Sequence, residues 1–291
     1  MTHVFVSPHP DDAALSCGGL IAALRARGEP VGLVTVFCGP GARDRLTPYQ
    51  RLALGFGRQG VWRPGDDLVV PDDVPEVDPP TPAEVMAVRR AEDEAYARFV
   101  GASIAFVNLP DAVFRDYQGD AQLMGRPRPD DPAPVEELRR ALAEMRPASL
   151  YLPLSIGGHV DHRQARRAGV ALLSEPASPY LDRAFFYEDF PYALTVGFER
   201  LDQLGPEILP SLPAGIELAP EYVQIGADID RKLEGLRVYE SQLGRLFGGR
   251  SPMATAVREQ AARVGGFAGT GPCERYWRVT TSATELNGVR R

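Results

Sequence analysis

Residues 31–37, VGLVTVF, run with almost no polar interruption. A strand with one wet face alternates apolar and polar residues, whereas a strand apolar throughout is covered on both faces, as parallel strands between helical layers are. Short runs of similar kind recur at 3–7, 103–107, 150–152 and 184–187. Between them lie segments of helical spacing: 14–27, closed by Gly28; 82–100, with Val85, Val88, Ala91, Ala95 and Phe99; Val135, Leu138, Leu142 and Met145; and Val160 to Leu173. Strand and helix alternate through the first two thirds of the chain. This predicts an α/β fold with a Rossmann-like, mostly parallel sheet and helices on both faces. Further on, Ile225, Ile229, Leu233, Leu236 and Leu243 predict one long amphipathic helix, and Val257, Ala261 and Val264 a shorter one. The expectation is a single domain over 1–291, with C-terminal helices at about 225–265 packed on the sheet.

The formal net charge of −7, with no cluster of basic and aromatic residues, argues against a nucleic-acid surface. No apolar run approaches the length needed to span a bilayer, and the N-terminal apolar stretch is too short for a signal peptide. Cys17, Cys38 and Cys273 are odd in number, scattered and outside any CxxC pair, which fits a reducing cytoplasm. Lys232 is the single lysine among many arginines, a compositional bias from which no function is drawn. The expected partner is a small molecule, with no nucleic acid and no membrane; a homo-oligomer stays open. Two stretches rich in proline and acid, 63–82 and 115–134, should emerge near the carboxyl edge of the sheet, either as solvated loops or as walls or lids of a cleft.

The chain has four histidines, His3, His9, His159 and His162. His3 starts a strand and reads as structural. The other three follow predicted strands, in HPDD (His9 to Asp12) and GGHVDH (Gly157 to His162), so a parallel sheet can bring them together. His9 and Asp12 are three apart across a turn opening a helix. With His162 they make two nitrogens and one oxygen, the ligand set of a catalytic zinc with a place left for water. A metal also explains how two adjacent carboxylates are tolerated at a strand end. Asp11, not needed as a ligand, is free to act as general base, and His159, if protonated, would stabilise an oxyanion. Asp161 would hold a histidine in one tautomer. Iron(II) suits the same ligands as zinc. Each motif alone also reads as a helix-capping turn or as surface and core histidines. CGGL (Cys17 to Leu20) is neither GxGxxG nor a Walker loop, and no GxSxG occurs.

At these residues the chain resembles the LmbE-like, or PIG-L, family of zinc-dependent N-acetylglucosaminyl deacetylases, whose signature is a strand ending in HPDD, a Gly-rich helix start and a later HxDH. The resemblance implies the LmbE-like fold, one zinc per chain held by His9, Asp12 and His162, Asp11 as base and His159 as the oxyanion-stabilising histidine. RRAED, with Arg89 and Glu92, and LPDAVFR, with Asp111 and Arg115, resemble family segments, and imply that Arg89, Asp111 and Arg115 meet the substrate. YEDFPYA (187–193) and YESQL (239–243) resemble stretches of bacterial members. Many members read HPDDE where this chain has Ala13, which leaves the assigned ligands intact and the sugar less defined. The reading is a metal-dependent amidase releasing an N-acyl group, usually acetyl, from an amino sugar or glycoconjugate. The alternatives are a metal-dependent esterase and a non-catalytic metal-containing sugar-binding protein.

Overall fold

The computed structural model describes residues 2–54, 80–205, 212 and 216–281. Its first half runs β1 (Thr2–Ser7), α1 (Asp12–Ala26), β2 (Val31–Gly39), α2 (Pro48–Ala53), α3 (Pro82–Val100), β3 (Ser103–Pro110), α4 (Asp120–Leu123), α5 (Val135–Met145) and β4 (Pro147–Pro153). The second half runs α6 (Val160–Leu173), β5 (Ala184–Tyr187), α7 (Tyr192–Val196), β6 (Ile216–Gln224), α8 (Ile229–Leu236), α9 (Glu240–Phe247), α10 (Arg250–Phe267) and β7 (Cys273–Thr281).

Seven strands form one sheet in the order β3-β2-β1-β4-β5-β7-β6. β1 to β5 pair in parallel, and β7 is antiparallel to both β5 and β6. β1 shows why the apolar runs carry so much information. Val4 and Val6 face one core, with Leu138, Leu142 and Leu172 of α5 and α6, while Phe5 faces the other, with Ile21 of α1 and Tyr96 of α3. Both faces are buried, as the unbroken hydrophobicity of β2 requires. The chain leaves β1 toward β2 and β3, then returns to lay β4 on the other edge of β1. Loops after β1 and β4 therefore diverge around a crevice at the carboxyl ends of the strands, where ligands bind in such sheets.

The expected elements of the first two thirds are present within a few residues. α3 begins where the sequence reading placed it, because Thr81 and Glu84 form a capping box and Gly101 closes the helix at φ 74°. The 63–82 stretch lies outside the described residues as far as 79, and 115–134 is described and contains α4. The long helix expected from Ile225 to Leu243 is instead two helices, α8 and α9, broken at 237–239. Leu236 and Leu243 are a heptad apart, so apolar spacing runs straight through the break; what ends α8 is the inward turn of Tyr239, whose hydroxyl donates to Asp93 at 2.7 Å. α10 is longer than expected, because its first turns are exposed and carry little apolar periodicity. β6 and β7 escaped the sequence reading. β6 holds Pro220 and sits at the sheet edge, where proline is tolerated.

Gly18 and Gly19 have a packing role. A Cβ on Gly19 would lie 2.6 Å from Ile225 Cγ2 and 2.9 Å from Glu274 Oε1, and one on Gly18 would lie 2.9 Å from Lys232 Cγ. Across this bare patch the buried Glu274 carboxylate accepts from Gly19 N at 2.8 Å, Leu20 N at 2.9 Å, Tyr276 Oη at 2.7 Å and Lys232 Nζ at 2.7 Å. The single lysine of the chain is thus an interior ion-pair partner that joins α8 to β7 over α1. We expect Gly19→Ala to destabilise the fold by about 1–3 kcal/mol through overpacking. Gly244→Ala, with nothing within 4 Å of its Cβ position, should be neutral or stabilising by up to about 1 kcal/mol. Urea denaturation of the two variants checks this, and equal midpoints would contradict it.

Candidate metal centre and active site

The turn after β1 folds on its own side chains. Ser7 Oγ donates to His9 O at 2.6 Å and accepts from Ala13 N at 2.9 Å, while His9 N donates to Asp12 Oδ2 at 2.8 Å. Phe37 N donates to Pro8 O at 2.8 Å and ties the turn to β2. The tightness of this turn puts Asp11 at φ 106°, a left-handed conformation that costs an aspartate energy and that the surroundings must hold. After β4, the chain turns through Gly157 at φ 88°, where a Cβ would lie 2.5 Å from the Tyr192 ring, and His159 caps α6. Asp161 and His162 follow in the first turn of α6.

The two segments meet. The ring of His9 lies 4.8 Å from that of His159 and 5.3 Å from that of His162, centroid to centroid. Asp12 Oδ2 is 3.2 Å from His9 Nδ1 and 3.2 Å from His162 Nε2. Ligands at about 2.0–2.1 Å around a tetrahedral zinc stand about 3.3 Å apart, so these separations fit such an ion. The outward nitrogens are both taken: His9 Nε2 contacts Asp161 Oδ2 at 2.9 Å, and His162 Nδ1 contacts Asp189 Oδ1 at 2.6 Å. A carboxylate on the outer nitrogen fixes the tautomer and leaves the inner lone pair for a metal. His162 Nε2 is buried and, although 3.2 Å from Asp12 Oδ2, makes no well-aligned hydrogen bond, so a cation between the two would satisfy it. His9, His159 and His162 also bring three nitrogens within 4.8 Å of one another. His159 fits the ligand role less well, because its Nδ1 accepts from Asp161 N at 3.2 Å.

The electrostatics match a cation site. Burial alone would lower the His9 imidazole, but Asp111, Asp12 and Asp161 overcome it and push the group up to about 9. His162 is likewise raised against burial by Asp12 and Asp189. Burial works against an ionised Asp12, yet His162 and His9 hold it below the usual carboxylate range. Carboxylates that hold protons on two buried imidazoles provide the negative field that a divalent ion needs, and such an ion displaces those protons. Asp11 differs from its neighbour: burial and Asp12 push it up to about 8, with Arg89 opposing. His159 is held well below the usual histidine range by burial, then by His9 and His162. This favours the neutral ring, with the proton on Nε2 because Nδ1 is an acceptor, whereas the oxyanion role read from the sequence was conditional on a protonated ring.

The remaining sequence-chosen residues divide. Arg89 and Asp111 line the same cavity as His9, Asp11, Asp12 and His159. They are joined to each other at 2.9 Å, and Arg89 also donates to Pro10 O at 3.2 Å and lies 3.8 Å from Asp11 Oδ2. Arg115 does not line that cavity. Its guanidinium pairs with Asp161 and Asp131, behind His9, so it positions Asp161 where substrate contact was expected. Glu92 leaves the site, accepting from Ser241 N at 2.8 Å. The next residue, Asp93, turns inward instead and accepts from Thr35 Oγ1 at 2.5 Å and Tyr239 Oη at 2.7 Å. The sequence reading missed Asp189, Asp93, Gln242 and Arg245. Asp93 is four residues after Arg89, on the same helix face, and Asp189 stands in the quoted YEDFPYA; these were the available signals.

Comparison with known proteins supplies an independent view. The 2'-N-acetylparomamine deacetylase of Streptomyces fradiae is 29% identical over 246 residues, 82% of this chain and 72% of the relative. The crystal structure of an antimicrobial reagent A40926 pseudoaglycone deacetylase matches with a TM-score of 0.69 and 25% identity, covering 97% of this chain and 98% of that one. A teicoplanin deacetylase in its zinc-inhibited form shares the fold, with a TM-score of 0.70 at 21% identity over 97% of this chain and 99% of that one. The profile described as "PIG-L: GlcNAc-PI de-N-acetylase" matches residues 4–173, more than half of the chain. The chain belongs to the PIG-L family.

Proposed function

We propose that this chain is a metal-dependent deacetylase that hydrolyses the N-acyl amide of an amino sugar carried on a natural product or glycoconjugate, with one zinc ion per chain. The observation that carries the reading is the sharing of Asp12 Oδ2 between His9 Nδ1 and His162 Nε2, at 3.2 Å each, with Asp11 beside it. The relatives named as deacetylases, one of them of 2'-N-acetylparomamine, support the reaction class. A divalent ion on His9, Asp12 and His162 supplies Lewis acidity and lowers the pKa of water. The rest falls to the chain. Asp11 takes the proton of the attacking water and returns it to the departing amine, for which a group near neutral is suited. Arg89 holds the Asp11 turn through Pro10 O. His159 donates a hydrogen bond from its Nε2–H, keeping the proton, to the oxygen that gains charge as water adds to the carbonyl carbon, a role that a neutral imidazole can perform. The C–N bond then breaks, and carboxylate and free amine leave. We take residues 1–291 as one deacetylase domain, since one sheet spans 2–281. Among the described residues no helix is long and apolar enough to cross a membrane. We assign the cytoplasm on the three free, buried cysteines.

Variants separate base from ligand. Asp11→Asn should keep the metal and lose about 10²–10⁴-fold in turnover, whereas His162→Ala should lose the metal. Asp189→Asn should weaken metal binding about 10–100-fold, because it replaces the charged acceptor on the outer nitrogen of His162 with a neutral amide oxygen. Metal content after dialysis, together with acetate release from N-acetylglucosamine conjugates with and without chelator, reads these effects. Equal metal loss in the first two variants overturns the assignment.

The raised groups also make a pH prediction for metal-free protein. His9 and Asp11 bind protons more tightly folded than unfolded, so the stability they contribute is present at low pH and is lost as pH rises through about 9 and about 8. The Tm of chelated protein should fall as pH rises from about 6.5 toward about 9, with Asp11 contributing up to about 8, and saturating metal should flatten the decline. Parallel curves for the two forms contradict it.

A further inference from the structure

Both arginines singled out from the sequence have partners in the protein: Arg89 is joined to Asp111 and Pro10 O, and Arg115 to Asp161 and Asp131. A third arginine is placed differently. Arg245 lies on α9 three residues after Gln242 and next to Leu246, and all three line the cavity that contains Asp11, Asp12 and His159. Among the described residues, the Arg245 guanidinium makes no hydrogen bond and no ion pair. The nearby acids act on it only at a distance: Asp111 is joined to Arg89 at 2.9 Å, and Asp120 accepts from Tyr49 Oη at 3.1 Å. Burial holds Arg245 below the usual arginine range, so its charge is partly stripped of water with no ion-pair partner among the described residues. A cation in that state is relieved by a bound anion.

α9 is a firm platform for such a contact. Its N-terminus is tied to α3 by Ser241, whose N and Oγ donate to Glu92 at 2.8 and 2.6 Å, and its apolar face places Leu243 and Phe247 in the core. The same α3 carries Arg89, so Arg245 is held in register with the wall beside the base.

Resting on the deacetylase reading, we propose that Arg245 determines specificity by binding an oxyanion, a carboxylate or phosphate, borne by the N-acyl amino sugar. The guanidinium fork matches two oxygens of either group, and its charge disfavours substrates that carry ammonium groups at the same position.

The test uses the metal-loaded protein and four probes: N-acetylglucosamine, its 6-phosphate, N-acetylglucosaminuronic acid and 2'-N-acetylparomamine. An anionic probe should be preferred over the neutral sugar by about tenfold or more in kcat/KM, the scale of a charge-assisted hydrogen bond. Whether phosphate or uronate is favoured identifies the oxyanion. Arg245→Gln should bring that ratio close to one through KM rather than kcat, Arg245→Lys should restore part of it, and Arg245→Glu should shift preference toward the cationic probe. A ratio that Arg245→Gln leaves unchanged, or no anion preference in the parent protein, overturns the proposal. Calorimetric binding of N-acetylglucosamine 6-phosphate to Asp11→Asn protein, with and without Arg245→Gln, gives a readout free of turnover. Binding weakened about tenfold with no hydrolysis of any sugar removes the deacetylase reading and leaves the anion site standing. Hydrolysis without anion preference removes the anion site alone.

Discussion

One carboxylate oxygen, Asp12 Oδ2, stands between two imidazoles that come from opposite sides of the sheet's switch point. Two buried histidines and an aspartate packed this closely are costly unless every outward atom is satisfied and the inward atoms share a cation. Both conditions shape the surroundings. Asp161 and Asp189 take the outer nitrogens, and each is itself anchored, Asp161 by Ala112 N at 2.8 Å and Asp189 by Ile156 N at 2.9 Å. The ladder from ligand to backbone keeps the imidazoles from rotating away when metal is absent, which lowers the reorganisation needed to bind it.

Around that centre the fold gives two neighbouring carboxyls opposite proton affinities. Asp12, held ionised by two imidazoles, suits a permanent ligand; Asp11, one residue away, is raised and suits a proton carrier. Adjacent residues of one type acquire opposite behaviour because a left-handed kink turns them into different environments. α3 enforces the difference from outside, with Arg89 at 3.8 Å from Asp11 and Asp93 locked to Thr35 and Tyr239 beneath it. α9 adds Gln242, Arg245 and Leu246 to the cavity wall and is fastened to the same helix through Glu92. The α9 wall and the Asp11 turn thus share a single support.

Much of this was legible in the residues. The alternation of unbroken apolar runs with helical spacing announced the parallel sheet, and the HPDD turn was readable because local bonds among Ser7, His9, Asp12 and Ala13 shape it. The C-terminal third read poorly. A heptad of leucines hid the break between α8 and α9, and β6, with an exposed face and a proline, lacks the apolar run that marked the buried strands. Among the site residues, the sequence did not show that Arg115 pairs with Asp161 and Asp131 or that Glu92 meets Ser241 while Asp93 turns inward, since one-dimensional spacing gives a residue's neighbourhood and not its face.

By itself the sequence determined the class of fold, the local turns and the kinds of atom offered to a metal, because these follow from backbone preference and from contacts between near neighbours. Only the tertiary structure decided that His9 and Asp161, 152 residues apart, touch, that His162 presents Nε2 and not Nδ1, and that Asp189 holds it there. It also decided which arginine is locked behind the site and which one, Arg245, faces the cavity. The physical reason is that such pairings depend on strand order and on the burial of long side chains against distant elements, and no periodicity in the chain records either.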